Sequence, residues 1–267
     1  MSKVVLVTGA SSGIGKAIAT TLSNAGYKVF GASRSVETGI VSEGVIQLQL
    51  DVTNEDSIKI GLAYIQKTEG RLDILVNNAG LGMIGALENT SSKQVQEIFQ
   101  TNVYGVLNMC RAALPMMRQQ RSGTIFNVTS IAGLMGLPFR GIYSASKSAV
   151  EGFSEALSAE VNQFGIKVII IEPGDFKTGI NENRRIAELE TSAYEPFQSA
   201  VITQVNREVN EAPDPSLIGE ALVRILKKKH PRLRYKVATP FQRFSVLVRD
   251  IIPDRWFEAL VKRYYKM

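Results

Sequence analysis

Short apolar runs alternate with amphipathic stretches along the first two thirds of the chain. The runs are rich in β-branched residues and end at glycine, asparagine or proline, which is typical of buried parallel strands. They predict strands at 3–8, 27–32, 45–50, 72–76, 124–129 and 167–172. Helical spacing predicts helices between them, the first ending at residue 26 and the others at 56–68, 92–119 and 145–164. This alternation predicts an α/β fold, a doubly wound parallel sheet in three layers.

The longest predicted helix, at 92–119, carries two local signals. Ser91 or Ser92 precedes its first apolar residues and is expected to act as the N-cap. Pro115 lies inside it. Because proline removes a backbone donor, we expect Pro115 to bend the helix or to limit its regular part.

The pattern loosens after residue 178. Residues 179–215 are polar and contain three prolines, a composition typical of an irregular lid over the carboxyl ends of the strands. A last strand is predicted at 235–238 and an amphipathic helix at 255–265. We expect the lid and the apolar residues of 241–265 to border a pocket for a bulky hydrophobic molecule. No repeat or low-complexity linker divides the chain, so residues 1–267 are expected to form a single domain.

Basic residues are concentrated at the end of the chain. Residues 1–223 hold 18 Lys or Arg against 22 Asp or Glu, whereas residues 224–267 hold 13 against 3, a charge of +10. Such asymmetry is typical of a surface that meets nucleic acid or an anionic membrane. A solvated basic face has the same composition, so the charge alone does not decide between these interpretations.

Cysteine and histidine are almost absent. Cys110 alone cannot form a disulfide within the chain, and His230 alone leaves almost nothing for a histidine-based metal site or a Ser/His/Asp triad. The sequence starts directly with a strand, and no apolar run approaches the roughly 18 residues that span a bilayer. We therefore expect a soluble, cytoplasmic protein without a bound metal.

One pair of residues offers acid–base chemistry. Tyr143 and Lys147 lie four residues apart in Tyr143-Ser144-Ala145-Ser146-Lys147, so they share a face if this stretch is helical. A phenol has an unperturbed pKa of about 10, and a neighbouring ammonium lowers it. The pair predicts a general acid or base at Tyr143. A chance pair with this spacing is common, so the spacing alone proves little.

Glycines after the first strand indicate a nucleotide site. They lie between a predicted strand and a predicted helix, in Gly9-Ala10-Ser11-Ser12-Gly13-Ile14-Gly15. Glycine lets the backbone turn sharply and approach a pyrophosphate, whose charge meets the helix N-terminus. A tight turn without a ligand can have the same local sequence, so the rest of the chain has to decide.

The glycine turn, Asn77-Asn78-Ala79-Gly80, Ser130 and the Tyr143/Lys147 pair together resemble the classical short-chain dehydrogenase/reductase family. The resemblance is close from Lys3 to Thr178. It is looser in the last third, which is similar to the branch of 17β-hydroxysteroid and retinol dehydrogenases. It implies a Rossmann fold, an oxidoreductase that acts on a carbonyl or alcohol, and a homo-oligomer.

Four positions match the catalytic residues of that family. The resemblance implies that Tyr143 transfers a proton to or from the substrate oxygen, and that Lys147 lowers the Tyr143 pKa and bonds the nicotinamide ribose. It also implies that Ser130 donates a hydrogen bond to the substrate oxygen. Asn102 would anchor a water that links Lys147 to solvent.

The resemblance also implies a cofactor site. The glycine turn, including Ser11, Ser12 and Ile14, would hold the pyrophosphate, and Asp51 and Val52 would flank the adenine. The other expected cofactor contacts are Asn78, Ala79, Gly80, Tyr143, Lys147, Pro173, Gly174, Phe176 and Thr178.

The end of the second strand bears on the choice of cofactor. Ser33 and Arg34 stand where an acidic residue would favour NAD, and no acid follows until Glu37. Arginine accommodates a 2′-phosphate. We therefore expect NADP(H).

The expected function is hydride transfer between NADP(H) and a carbonyl or alcohol, with a bulky hydrophobic substrate such as a steroid, a retinoid or a lipid-like molecule. A non-catalytic NADP(H) sensor on the same fold would normally have a damaged Tyr143/Lys147 pair. A nucleic-acid binder would leave this pair and the glycine turn unexplained, so we expect no nucleic-acid partner. The basic C-terminal segment, about 224–267, can rest on an anionic membrane or pack against the core or a second subunit.

Overall fold

The structure, a computed structural model, describes residues 2–179, 184–189 and 192–267. The strands are β1 (Val4–Thr8), β2 (Lys28–Ser33), β3 (Val41–Ser42), β4 (Val45–Gln49), β5 (Ile74–Asn77), β6 (Met83–Ile84), β7 (Gly123–Val128), β8 (Ile166–Pro173), β9 (Arg185–Ile186) and β10 (Arg234–Val237). The α-helices are α1 (Gly13–Asn24), α2 (Glu55–Glu69), α3 (Ser92–Phe99), α4 (Gly105–Gln119), α5 (Gly141–Val161), α6 (Phe197–Glu211), α7 (Ser216–Leu226), α8 (Pro240–Ile251) and α9 (Asp254–Tyr265).

Eight strands form the main sheet, in the order β10-β8-β7-β5-β1-β2-β4-β3. Neighbouring strands are parallel except for β3 and β4, which are antiparallel. Alternate side chains of β1 enter opposite cores. Leu6 packs in the core that contains residues of α2, α4 and α5, whereas Val5 and Val7 pack with residues of α1 and α7. The sheet is thus covered on both faces, and the predicted three-layer, doubly wound fold is confirmed.

The strand order places a crevice at the centre of the sheet. β1 pairs with β2 on one side and with β5 on the other. Helices α1 and α2 pack on opposite faces of the sheet. Ligands of open α/β sheets bind at such a switch point, outside the carboxyl ends of the strands. The segments that follow β1, β2, β5, β7 and β8 all lie along this edge.

The predicted strands all occur, with ends that shift by at most two residues. The predicted last strand is β10, and the structure pairs it in parallel with β8. Pattern reasoning missed β3, β6 and β9, since two-residue strands carry no periodic signal. β6 and β9 form a second, parallel sheet that ties the segment after β5 to the segment after β8.

The helical stretch at 92–119 begins where it was expected, but its interruption lies elsewhere. Ser91 is the N-cap, and its side chain and that of Gln94 form a capping box. Regular α-helix is interrupted by a π-helical turn at Gln100–Tyr104, and α4 then continues through Pro115 to Gln119. The expectation that Pro115 limits the regular part was wrong. The irregularity lies at the extra residue of the π-turn, a device frequent at functional sites.

The segment expected to be an irregular lid contains regular structure. Val201, Val205 and Val209 are buried at four-residue spacing along α6, so this part of 179–215 is an amphipathic helix. Residues 180–183 and 190–191 of the expected lid lie outside the described residues. Helices α7 and α8 also went unpredicted. None of the helices in the described ranges combines the length and apolarity needed to cross a membrane.

Candidate active site

The glycine turn brings two backbone segments into contact. Gly9 adopts a φ of +66°, a left-handed conformation that side chains disfavour. A Cβ on Gly9 would lie 2.8 Å from the Ala79 Cα, and one on Gly15 would lie 2.1 Å from the Gly9 carbonyl oxygen. The turn after β1 therefore packs against the segment after β5 with no room for a side chain at either position.

The N-terminus of α1 is open to an anion. Ser12 is the N-cap, but its side chain makes no capping bond, and the first turn holds no acidic residue. Ser11 and Ser12 are exposed, and Ile14 is half-buried. The first N–H groups of a helix need partners and carry partial positive charge. These backbone donors lie next to the glycine turn, where no side chain blocks the approach of a ligand. The site therefore fits a dinucleotide pyrophosphate.

Asn78 and Thr8 brace this turn. The Asn78 side-chain amide donates to the carbonyl oxygens of Thr8 and Gly9, at 3.0 and 3.3 Å. The Thr8 hydroxyl accepts from the backbone N–H groups of Asn78 and Ala79, at 3.0 and 3.1 Å. Asn78 was expected only to line the cofactor, and Thr8 was missed. Its one signal in the sequence was a hydroxyl at the end of a buried strand.

Arg34 and Asp51 lie on the other side of the turn. The cleft beyond β2 is lined by Arg34, Gln49, Asp51 and residues at the start of α2. Asp51 accepts from the Thr53 N–H and hydroxyl through one carboxylate oxygen, and Val52 is buried. Ser33 is buried, whereas Arg34 is exposed. A neighbouring cleft beside Ser11 and Lys16 is lined by Glu37.

The segment after β8 closes the crevice at its far end. Thr178 lies against the glycine turn, since a Cβ on Gly13 would be 3.4 Å from the Thr178 Cβ. The Pro173 carbonyl lies 3.5 Å from the Ser130 hydroxyl, and the Gly174 N–H donates to Val237. Phe176 is buried in the core with residues of α1 and β1. Its side chain therefore packs the fold, and only its backbone is left to meet a ligand.

Ser130, Tyr143 and Lys147 come together at the ends of β7 and β8. Tyr143 lies in the first turn of α5, and Lys147 follows one turn later on the same face. The Lys147 ammonium lies 5.8 Å from the centre of the Tyr143 ring and donates to the Val128 carbonyl at 3.1 Å. The Ser130 hydroxyl lies close enough to the Tyr143 phenol to act on its pKa, in the lowering direction. The three residues predicted from sequence are thus neighbours in space.

Burial sets the direction of both pKa shifts. It lowers the pKa of Lys147 to about 8, and the carboxylate of Glu151 opposes this. It also raises the pKa of Tyr143, while the hydrogen bond from Ser130 and the charge of Arg140 act in the other direction. The expectation that Lys147 gives Tyr143 a lowered pKa does not describe this structure, because desolvation of the phenol outweighs the neighbouring charges.

Asn102 projects inward from the π-turn and is fully buried. Its side-chain amide donates to the Leu81 carbonyl at 2.9 Å and to the Ser146 hydroxyl at 3.0 Å, and its oxygen accepts from the Leu81 N–H at 2.7 Å. A Cβ on Gly80 would lie 3.2 Å from that oxygen and 3.5 Å from the Lys147 ammonium. Gly80 therefore permits Asn102 and Lys147 to approach the same point.

A polar network that sequence reasoning missed surrounds the Tyr143 side. The Arg140 guanidinium donates to the Tyr265 hydroxyl at 2.6 Å, and the Gln242 amide donates to the Asp175 carboxylate at 2.6 Å. Arg140 and Asp175 both act electrostatically on Tyr143. These four residues lie on four separate segments, so no spacing in the sequence connects them.

Behind Lys147 lies a buried carboxylate cluster. Glu151 accepts from the Thr129 hydroxyl at 2.5 Å and pairs with Arg234 at 3.1 Å. Glu172 is fully buried, with Arg234 at 3.4 Å and Lys236 at 3.7 Å, and neither carboxylate oxygen has a well-formed hydrogen bond. Burial raises the pKa of Glu172 to about 7, helped by the charge of Glu151 and opposed by Lys236 and Arg234.

Three curated relatives align with nearly the whole chain. The 3-ketodihydrosphingosine reductase of Bacteroides thetaiotaomicron is 41% identical over 266 residues, covering 98% of this chain and 98% of its own length. The human 17-beta-hydroxysteroid dehydrogenase type 1 is 35% identical, covering 94% and 81%. Bovine retinol dehydrogenase 8 is 31% identical, covering 90% and 82%. The family model described as short chain dehydrogenase matches residues 3–189.

Two solved structures with bound nucleotide resemble the fold. A short-chain dehydrogenase/reductase from Burkholderia phymatum in complex with NAD has a TM-score of 0.79 and 26% identity, covering 93% of each chain. ElxO with NADP bound has a TM-score of 0.74 and 27% identity, covering 89% of this chain and 98% of its own. Structures similar to this chain thus hold either nucleotide.

The buried Glu172 gives stability a pH dependence. A folded-state pKa of about 7, above the ordinary glutamate value of 4.5, means that the folded state binds more protons than the unfolded state between these values. The contribution of Glu172 to stability is therefore present at low pH and is lost as pH rises through this window. Relative to wild type, Glu172→Gln should gain on the order of 1–3 kcal/mol of unfolding free energy from about pH 4.5 to 7.5.

Urea denaturation across this pH range measures the difference. Glu155→Gln removes an exposed carboxylate from the same Arg234 and controls for the loss of one negative charge. A difference between Glu172→Gln and wild type that is constant with pH would contradict a Glu172 that holds its proton in the folded state.

Proposed function

This chain belongs to the classical short-chain dehydrogenase/reductase family, and from that membership we propose that it is an NADP(H)-dependent oxidoreductase of bulky, lipid-like carbonyls or alcohols. The observation that carries the proposal is the convergence of Ser130, Tyr143 and Lys147 beside the nucleotide crevice. The phenol and the ammonium share one face of α5, and the lack of a side chain at Gly80 lets its backbone lie close to both Lys147 and Asn102.

The bound nicotinamide would supply the hydride. Negative charge then develops on the substrate oxygen, and donors fixed at that point lower the barrier. Tyr143 is the proposed proton donor, and the Ser130 hydroxyl is the second donor that orients the same oxygen. The raised pKa of Tyr143 keeps its proton in place at neutral pH, which suits the reduction of a ketone.

Lys147 and Asn102 act behind Tyr143 in this proposal. A Lys147 with a pKa of about 8 is mostly charged at neutral pH but can still exchange its proton, so it can help to return a proton to Tyr143. The Asn102 oxygen retains one lone pair beyond its bond to Leu81, and a water held there would connect Lys147 with solvent.

The preference for NADP(H) is inferred from Ser33 and Arg34. The buried Ser33 hydroxyl has no hydrogen-bond partner among the described residues, and the exposed Arg34 follows it directly. Arginine binds phosphate through two parallel N–H groups, whereas an acidic residue at the end of β2 would repel a 2′-phosphate. The pyrophosphate is assigned to the glycine turn and α1.

The substrate class is inferred from apolar residues near Ser130 and from the similar proteins. Val246 of α8 and Phe257 of α9 pack with Ile131 and Met135 of the segment that follows Ser130. This cluster makes the surroundings of Ser130 apolar, which suits a molecule with a large hydrocarbon part. The similar proteins are named for 3-ketodihydrosphingosine, a hydroxysteroid and retinol, which share this property.

The substrate proposal predicts a ranking. Purified enzyme with NADPH should reduce 3-ketodihydrosphingosine, a 17-ketosteroid or retinal with a higher kcat/KM than small sugars, because each buried methylene adds about 0.8 kcal/mol of binding. Steady-state oxidation of NADPH measures this ranking. A clear preference for small polar carbonyls would overturn the assigned substrate class but leave the reaction type intact.

The relay predicts the effect of removing one proton. Tyr143→Phe keeps the ring and removes the donor, so kcat should fall by about 10²–10⁴-fold while NADPH binding, followed by nucleotide fluorescence, is retained. Tyr104→Phe, which alters an exposed phenol on the π-turn, is the matched control and should keep full activity. If Tyr143→Phe kept about a tenth of wild-type activity or more, Tyr143 is not the acid.

If the wild type bound NADPH but reduced none of the carbonyls named above, a non-catalytic sensor would be favoured.

The cofactor assignment predicts a switch. Wild type should bind NADPH more tightly than NADH, and Ser33→Asp with Arg34→Ala should reverse this order, because the new carboxylate can bond a ribose 2′-hydroxyl. Fluorescence titration with each nucleotide gives the two dissociation constants. Equal affinities in the wild type would refute the role of Arg34.

A further inference from the structure

The last two helices form a hairpin with an exposed apolar side. Phe241 at the start of α8 stacks on Tyr264 near the end of α9, with ring centres 5.9 Å apart. The two helices therefore run antiparallel and their outer residues form one continuous surface. We call this surface the docking face. It consists of Phe241, Phe244, Leu247, Ile251, Trp256, Leu260 and Tyr264, each between 42% and 71% exposed.

The periodicity of the docking face distinguishes it from scattered surface residues. Its members recur at intervals of three or four along α8 and again along α9, so each helix has one apolar stripe that faces outward. Only Val246 and Tyr265 are buried within these two fully described helices. Monomeric proteins rarely expose an apolar surface of this extent, and a polar rim around one marks an interaction site.

The inner side of the hairpin is fixed to the body of the protein. Val246 and Phe257 pack against residues after Ser130, and Tyr265 packs against Val201 and Val205 of α6. Polar bonds from Gln242 to Asp175 and from Arg140 to Tyr265 add to this attachment. The hairpin is therefore packed firmly against the rest of the protein, and its apolar outer side has a fixed orientation.

The charge around the docking face decides which occupant fits. Residues 240–267 carry six Lys or Arg against three Asp or Glu, and residues 224–239 carry seven against none. Arg243, Arg255, Lys262, Arg263 and Lys266 are all exposed on or beside the hairpin. A second copy of the chain would bring another positive hairpin to a positive hairpin. Anionic phospholipid offers both a negative surface and a hydrocarbon layer for the apolar stripe.

We propose that the docking face binds the surface of a bilayer that contains anionic phospholipid. Phe244, Ile251 and Trp256 enter the boundary between headgroups and acyl chains, and the flanking basic residues bind the headgroups. The hairpin does not cross the bilayer. It borders the segment after Ser130, so docking places the candidate active site at the membrane surface. This inference goes beyond the proposed reaction and does not depend on it.

The chain contains its own reporter for the test, because Trp256 is its single tryptophan. We would titrate full-length protein, without substrate or nucleotide, with vesicles of phosphatidylcholine alone or mixed equally with phosphatidylglycerol. The expected result is a blue shift of Trp256 emission and quenching by brominated acyl chains with the mixed vesicles. Apparent affinity should fall at least about tenfold from 0.05 to 0.5 M NaCl. Absence of a shift or of vesicle cosedimentation at low salt would overturn the proposal.

Matched variants separate the apolar and basic contributions while keeping the reporter. Phe244→Ser with Ile251→Ser should weaken vesicle binding at least about tenfold, because both anchors lose their apolar contact. Arg243→Gln with Arg255→Gln and Arg263→Gln should weaken it similarly and flatten the salt dependence. Ile60→Ser with Leu217→Ser changes exposed apolar residues on α2 and α7 and should leave binding unchanged.

Analytical ultracentrifugation tests the alternative occupant. If wild type failed to bind vesicles and Phe244→Ser with Ile251→Ser turned an oligomer into a monomer, the docking face would be a self-association surface and the proposal would be wrong. Equal loss of binding in the Ile60/Leu217 control would also overturn the assignment of this face. All the substituted residues are exposed, so each variant is expected to fold. Circular dichroism and thermal melting check this.

Discussion

The buried ammonium of Lys147 is the constraint on which the candidate site depends. Removing an ammonium from water costs several kcal/mol unless it gains partners. The structure provides the Val128 carbonyl at 3.1 Å and a neighbouring carboxylate at Glu151. Burial outweighs these partners, so the pKa of Lys147 is lowered to about 8.

An irregular helix lies opposite Lys147. The π-turn at Gln100–Tyr104 directs Asn102 into the interior, where its amide and oxygen bind Leu81 and Ser146. Ser146 in turn donates to the Tyr143 carbonyl at 2.7 Å. The segment after β5, the middle of the long helical stretch and the start of α5 are thus tied through two side chains. Tyr143 and Lys147 are held by this connection as well as by their own helix.

The C-terminal hairpin connects the candidate site with the exterior. Its inner residues meet Asp175, Arg140 and the segment after Ser130, so part of the surroundings of Tyr143 is made by residues that are distant in the sequence. Its outer residues are apolar and exposed. One short element therefore carries two different surfaces, and a change on the outer side leaves the inner contacts in place.

The sequence by itself determined the strands and the parallel, doubly wound sheet, and it named the candidate residues of the crevice. β-branched runs are buried on both faces, so their apolar pattern is continuous and easily recognised. Gly9, Ser130, Tyr143 and Lys147 follow local rules of turn, strand end and helix face, and those rules act within a few residues. The relative positions of the three catalytic candidates followed from the parallel sheet, which aligns the ends of its strands at one edge.

Only the tertiary structure decided what depends on distant contacts. Whether the pKa of Tyr143 is raised or lowered depends on how much water the surrounding segments exclude. The spacing of residues in the sequence does not contain that information. Arg140, Asp175, Gln242 and Tyr265 meet because separate elements pack together. Pro115 illustrates the same limit, because α4 continues through it and the irregular turn lies at Asn102 instead. The local sequence determines which backbone conformations are low in energy. Burial depends on the whole fold, and it determines which polar groups lose water and so what chemistry they can perform.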